Sequence, residues 1–173
     1  MMDATVEKAS KGEREAMAKL VAEHYAVVFR FCARRVGNEL AKDAAQETFI
    51  TAHRQIKKFD ERSSFSTWLL GIAHNHCRNL ARKRKFEIGF NDFWKAADTP
   101  SETGIIDRTA LRAALLRLSN EHREAVVMHE IEGLTYEEAA AILNVPVGTI
   151  KSRLHHAFLA LRRALTPGEQ VPA

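Results

Sequence analysis

Residues Gly133 to Phe158, G-L-T-Y-E-E-A-A-A-I-L-N-V-P-V-G-T-I-K-S-R-L-H-H-A-F, hold in one run a helix stop, a capped helix, a turn and a second helix. Gly133 suits the left-handed residue that ends a helix, and Thr135 with Glu138 three places on makes a capping box for the next one. That helix begins near Tyr136, passes through Ala139, Ala140 and Leu143, and stops at Asn144-Val145-Pro146, where the residue before proline is steered out of the helical region. A second helix starts around Val147. Its positions Ile150, Leu154, Ala157, Phe158 and Leu161 share one side and are expected in the core. Thr149, Ser152, His155 and His156 face the other way, flanked by Lys151 and Arg153, so the outward side offers cations for phosphates and hydroxyl and imidazole groups for base edges. This is the pattern of a helix-turn-helix DNA reader.

Charge supports that reading over an ordinary solvated helix. Glu121 to Glu138 holds six acids and one cation, Arg123, whereas Val147 to Arg163 holds the four cations Lys151, Arg153, Arg162 and Arg163 and no acid. A short segment polarised in this way suits a protein with one face toward a polyanion.

Outward from this stretch, everything periodic has the helical period and no window alternates like a strand, so the fold class is all-α. Ser10 and Glu13 read as a capping box for a first helix with the stripe Met17, Leu20, Val21, His24, Val28, Phe31 and Cys32, stopped at Gly37-Asn38. A second helix, about 39–58, buries Ala41, Ala45, Thr48, Phe49, Ala52 and Ile56. A third, about 64–85, buries Phe65, Trp68, Leu69, Ile72, His76 and Leu80. Turn-forming residues interrupt the pattern between Phe86 and Arg108, although Phe90, Phe93 and Trp94 are apolar enough to pack on something. The reading is therefore two small helical domains, 8–92 and 109–167, joined by a linker at 93–108. The C-terminal domain carries four helices, about 107–118, about 120–132 and the two of the helix-turn-helix.

The 173 residues, 46% hydrophobic and 28% charged, are those of a globular chain and exclude disordered and fibrous classes. The net charge of +4 is concentrated in residues 1–92, which hold 17 cations and 12 acids. No stretch reaches the roughly 20 apolar residues of a membrane helix, and the N-terminus is too polar for a secretory signal, so a cytoplasmic protein is expected. Cys32 and Cys77 sit at apolar helical positions and read as buried thiols. His74-x-His76-Cys77 has the look of a metal fragment, but no second ligand pair at zinc spacing accompanies it.

Two faces of the N-terminal helices carry interaction chemistry. Asp43, Gln46, Glu47, Ile50 and Arg54 lie opposite the Ala45/Phe49/Ala52 stripe; an aliphatic residue among acids and an amide fits a protein interface and a solvated surface equally well. On the third helix the outward series Gly71, Asn75, Arg78, Arg82 and Lys85 ends in the run Arg82-Lys83-Arg84-Lys85. The preceding loop gathers Phe59, Arg62, Ser63 and Ser64 near Phe65 and Trp68. Aromatics beside cations suit stacking on unpaired bases, with at least one of Phe65 and Trp68 expected in the core instead.

Three motifs in order, D-A-A-Q-E-T-F from Asp43, S-S-F-S-T-W-L-L-G-I-A-H-N from Ser63, and E-G-L-T-Y-E-E-A-A-A-I-L-N-V-P-V-G-T-I-K-S-R-L from Glu132, resemble the two conserved regions of bacterial extracytoplasmic-function (ECF) sigma factors of the sigma-70 family. The resemblance spans nearly the whole chain. It implies that Asp43, Gln46 and Glu47, with Ile50 on the same face, dock on the clamp coiled coil of the RNA polymerase β′ subunit. It implies that the Phe59 to Ser66 loop, with Arg62, Ser63 and Phe65, and Asn75, Arg78 and Arg82 open the minus-10 element and hold an unpaired base. It further implies that Thr149, Lys151, Ser152, Arg153, His155 and His156 read the minus-35 element, and that the linker follows the RNA exit path. The chain departs from its relatives at His155 and His156, where they often carry an aromatic or an arginine. Implied partners are core polymerase through β′ and β, promoter DNA and an anti-sigma factor, with no metal or nucleotide cofactor. The expectation is an alternative sigma factor and not an enzyme, since no clustered carboxylates or arginine-rich setting around Ser63, Ser64 and Ser66 supports recombinase chemistry. The rival reading is a simple helix-turn-helix regulator that binds duplex DNA without polymerase.

Overall fold

The computed structural model describes residues 3–84 and 108–166, which form two compact units. The expected linker at 93–108, except Arg108 at the start of the next helix, lies outside the described residues, as do the aromatic residues Phe90, Phe93 and Trp94 and Lys85. Every regular element among the described residues is helical.

In the N-terminal unit, helices α1 (Ala4–Ser10), α2 (Arg14–Val36), α3 (Asn38–Gln55) and α4 (Phe65–Arg84) follow one another, with a single 3-10 turn, Ile56–Lys58, after α3. The expected Ser10/Glu13 capping box does not form. Asp3 instead caps an additional short helix by accepting from the Thr5 amide at 2.7 Å, Ser10 Oγ donates back to the Glu7 carbonyl, and α2 starts at Glu13 with no side-chain cap. Burial of Val6 and Ala9 is what makes that extra turn of helix worthwhile, a tertiary gain that overrides the local signal at Ser10. Gly37, at φ 82°, both ends α2 and begins α3, so the chain reverses over one residue that a side chain would strain.

Helices α2, α3 and α4 pack against one another. The α3 stripe is buried as the periodicity indicates: Ala41, Ala45, Thr48, Phe49 and Ala52, with Ile56 beyond it, are all in the core. On α4 the buried seam is rotated from the expected one. Leu69, Leu70, Ala73, His74, Cys77 and Ala81 are buried, while Trp68, Ile72, His76 and Leu80 are only half-buried. The reason is packing: α4 touches both α2 and α3, and small residues at i, i+4 and i+8 (Ala73, Cys77, Ala81) allow that close approach, with the bulkier side chains pushed to the flanks.

Polar groups are threaded through this core. Cys32 and Cys77 are free thiols with no solvent exposure, hydrogen-bonded to each other; that bond, then burial, pushes the Cys32 thiol up, so it stays protonated. Arg35 is 2% exposed, donates to the Phe31 carbonyl at 3.0 Å and stacks over the Phe31 ring. His74 is buried beside it, and burial, with the positive fields of Arg35 and Arg78, lowers its pKa to about 3. His76 turns instead to Thr51, 2.9 Å from Nε2, and burial lowers its pKa as well.

The C-terminal unit contains α5 (Arg108–Arg117), α6 (Asn120–Val126), α7 (Tyr136–Leu143) and α8 (Val147–Leu165). Ser119 caps α6 by accepting from the His122 amide, and α6 runs on into a π turn, Val127–Ile131, before Gly133 ends it at φ 70°. Both arms of the capping box are made, Glu138 N to Thr135 Oγ1 at 3.1 Å and Thr135 N to Glu138 Oε2 at 2.9 Å. The stop after α7 is made by Asn144 itself, left-handed at φ 53°, with Pro146 serving as the N-cap of α8.

Along α8, Ile150, Leu154, Ala157 and Leu161 form the buried stripe, but Phe158 is 45% exposed. The core contact is a narrow seam at i, i+4, i+7 and i+11, closed by the small Ala157, and the neighbouring position falls on its rim. Arg123, counted in the sequence only as a lone cation among acids, is 4% exposed and donates to the carbonyls of Leu115, Leu116 and Leu118 at 3.1, 2.9 and 2.9 Å. It thereby gives a charged donor to carbonyls at and just past the end of α5 and ties that end to α6.

Candidate nucleic-acid interface

The C-terminal unit presents α8 as the second helix of a helix-turn-helix. Of the six side chains expected to read DNA there, Lys151, Ser152, His155 and His156 are exposed, and Thr149 and Arg153 are half-buried. Three of them are held from behind by other helices of the unit. Lys151 Nζ lies 5.4 Å from the centre of the Tyr136 ring at the start of α7, and that ring stacks on His129 at 4.4 Å. Arg153 Nη2 is 3.2 Å from Glu121 Oε2 on α6. The His156 ring sits 6.1 Å from that of His122 and 5.6 Å from that of His155. These supports, Glu121, His122 and Tyr136, were not legible in sequence, because nothing in the spacing says which residues of a preceding helix lie behind an outward-facing one.

In the N-terminal unit, Asn75, Arg78 and Arg82 project from α4 at i, i+3 and i+7 and are all exposed, with Asn79 exposed beside them. Arg62 and Ser63 belong to the loop before α4; Arg62 Nε pairs with Asp60 at 2.9 Å, and Glu61 between them is left-handed at φ 57°. Phe65 does not join this surface. It is 8% exposed and sits in an aromatic cluster with Phe59, Trp68 and His24, at centroid separations of 5.7, 5.6 and 5.4 Å. Its ring is spent on holding the loop to the helices, and the half-buried Phe59 and Trp68 are the aromatic rings of the cluster that keep some free surface. Ten residues separate Phe65 from Asn75, about 15 Å along the helix axis, so the loop and Asn75 lie at separate points along α4.

Asp43, Gln46 and Glu47 are exposed on one side of α3, with Arg54 exposed and Ile50 half-buried. Gln46, Ile50 and Arg54 also border a groove of about 560 Å³ between α2 and α3, whose floor is Met17, Val21, Tyr25 and Phe49. The α2 side of that groove went unseen in sequence, where Met17 and Val21 were assigned wholly to the core; they are half-buried and Tyr25 is exposed. His74, His76 and Cys77 do not converge, since His76 faces Thr51 while Cys77 pairs with Cys32. Among the described residues no group of three or more His, Cys, Asp or Glu has an arrangement able to hold a metal ion.

Two helical units, one with a cationic face on α4 and an exposed mixed polar and aliphatic face on α3, the other a helix-turn-helix, define a DNA-binding transcription factor. Comparison with known proteins makes this specific. Residues 20–87 match the model for Sigma-70 region 2, and residues 108–161 match that for Sigma-70, region 4. The chain is 32% identical over 183 residues to the ECF RNA polymerase sigma factor SigW of Bacillus subtilis (strain 168), covering 95% of this chain and 97% of that protein. It is 32% identical over 181 residues to the ECF RNA polymerase sigma-E factor of Escherichia coli (strain K12), covering 94% and 93%. Its fold is similar to that of CnrH in complex with the cytosolic domain of CnrY, with TM-score 0.66 and 26% identity over 93% of this chain and 94% of that one. It is also similar to the sigma factor RpoE in complex with the anti-sigma factor NepR from Bartonella quintana, with TM-score 0.59 and 26% identity over 86% and 95%.

The chain belongs to the ECF sigma factors of the sigma-70 family. It is an alternative sigma factor, a transcription initiation factor that binds core RNA polymerase and promoter DNA, and the reading as a simple duplex-binding regulator is not favoured. Among the described residues no helix is long and apolar enough to cross a membrane.

Proposed function

We propose that the three surfaces divide the work of initiation. Asp43, Gln46, Glu47 and Ile50 on α3 dock on the clamp coiled coil of the polymerase β′ subunit; Arg62, Ser63, Asn75, Arg78 and Arg82 open and hold the minus-10 element; and Thr149, Lys151, Ser152, Arg153, His155 and His156 read the minus-35 element. The observation that carries this is that α4 and α8 each expose a row of DNA-suited side chains while burying an apolar seam. The working domains are 8–92 and 109–167, bridged by 93–108. The factor acts in the cytoplasm by binding alone, without catalysis or cofactor. Because the two solved structures described above are complexes, one named as with an anti-sigma factor, an anti-sigma partner is proposed for this chain too.

Melting separates this proposal from duplex reading most sharply. Holoenzyme carrying Asn75→Ala is expected to be poor on closed promoter and substantially rescued on a template with a pre-opened minus-10 bubble, since the bubble removes an unstacking and unpairing cost of a few kcal/mol. Permanganate footprinting and abortive transcripts report it. Equal activity of wild type and Asn75→Ala on the closed promoter would remove Asn75 from base capture. In pull-downs with core enzyme, Asp43→Ala and Gln46→Ala should weaken binding by about 1–3 kcal/mol with helix content unchanged; wild-type affinity for both variants would reject the α3 face.

A further inference from the structure

We propose that Glu121 is a positioning residue for promoter selectivity, holding Arg153 so that it reads bases instead of gripping any nearby phosphate. The inference rests on the reading of α8 as the minus-35 helix. Glu121 lies in the first turn of α6, a turn fixed by the Ser119 cap, and its carboxylate meets the Arg153 guanidinium at 3.2 Å. The two partners are unequal: the Arg153 side chain is 17% exposed and that of Glu121 is 70% exposed. An ion pair with one partner this exposed contributes little to folding, so stability does not account for an acid at the edge of a DNA-facing helix.

Its effect on Arg153 is larger. A free arginine on a long, flexible stem makes sequence-independent contacts with whichever phosphate is near, and these dominate non-specific affinity. With Nη2 paired to Glu121 Oε2, the guanidinium is restrained on one side and its remaining N–H groups favour one direction, as bidentate contact with a base edge requires. Lys151 over Tyr136 and His156 against His122 are restrained by the same unit, so Arg153 is one of three outward side chains held from behind.

The test uses the full chain as holoenzyme with core polymerase. A duplex is selected by the wild-type holoenzyme from a pool randomised at the minus-35 element, and its binding is compared with that of a scrambled duplex of equal length over a range of salt. Glu121→Gln is expected to bind the scrambled duplex several-fold tighter and to lower the selected-to-scrambled ratio roughly ten-fold, the scale of one good base contact. The salt dependence should steepen by about one phosphate contact. Glu121→Asp should restore much of the ratio, and thermal unfolding of all variants should match wild type. In an Arg153→Ala background Glu121→Gln should change nothing further. An unchanged ratio for Glu121→Gln overturns the proposal, and so does an effect that persists undiminished without Arg153, which would reduce Glu121 to a repelling charge. If the wild-type holoenzyme selects no sequence at this element, the reading of α8 itself fails, an outcome distinct from the other two.

Discussion

The two units reach stability by different routes. In the N-terminal unit three long helices, of 23, 18 and 20 residues, are held by a core in which alanines and cysteines permit close approach and in which Arg35, Thr48, Thr67 and His74 are buried. In the C-terminal unit the helices are shorter, apart from α8, and their ends are tied by named hydrogen bonds: the Ser119 cap, the Thr135/Glu138 box, the left-handed Gly133 and Asn144, and the Arg123 brace. A long helix gains enough packed area that one absent cap, as at Glu13, is tolerated; an eight-residue helix such as α7 does not, and so depends on its termini. Local chemistry should therefore dominate mutational effects in the C-terminal unit, and burial in the N-terminal one.

The largest expected effect tests the C-terminal half of this contrast. Arg123→Met keeps the buried volume but leaves the carbonyls of Leu115, Leu116 and Leu118 without their charged donor, a loss of about 3 kcal/mol. Hydrogen exchange should show faster opening of α5 and α6 with the N-terminal core unaffected. Protection of α5 at the wild-type level would mean that apolar packing alone holds that helix.

Next comes acid sensitivity, which should belong to the N-terminal unit. Folded His74 takes up a proton only near pH 3, whereas the unfolded side chain does so near its ordinary 6.5. Between those values the unfolded chain binds more protons, so stability falls as pH falls; from pH 6.5 to 5 the loss is about 2 kcal/mol. Chemical denaturation across that range, read by helix-specific exchange, should show the loss in α2 to α4, and His74→Gln should flatten the slope. An equally steep slope in His74→Gln would assign the sensitivity elsewhere.

Thr135→Ala should cost about 1 kcal/mol, confined to α7 and the turn that sets the angle of entry into α8. If the capping box carries less than the surrounding packing, the loss will be indistinguishable from that of an exposed alanine substitution. The smallest effect is expected at Phe158. With 45% of its surface exposed, Phe158→Ser should change stability by no more than about 0.5 kcal/mol, whereas a core phenylalanine would cost several times that. Thermal unfolding of this variant decides whether the periodicity of α8 or its observed seam describes the core.

The helical class, the helix-turn-helix and its boundaries were legible in the chain itself, because the Gly133 stop, the Thr135/Glu138 box and the Asn144-to-Pro146 turn act over three or four residues, whereas the Ser10/Glu13 box gave way to the burial of Val6 and Ala9. The α3 stripe was legible for the same kind of reason: a helix packed along one face displays its burial as a repeat. What only the tertiary structure decided lies wherever a residue answers to two neighbours at once. The α4 seam rotated toward Ala73, Cys77 and Ala81 because two helices press on it, Phe65 left the proposed DNA surface for an aromatic cluster, and Phe158 fell on the rim of a seam narrowed by Ala157. Arg123 and Glu121 read in sequence only as the lone cation and one of six acids in an acidic segment, yet one braces the end of α5 and the other pairs with Arg153. Periodicity reports only the side of a helix that faces inward; which partner a long charged side chain reaches depends on how the helices cross, and that is set by the packing of the whole unit.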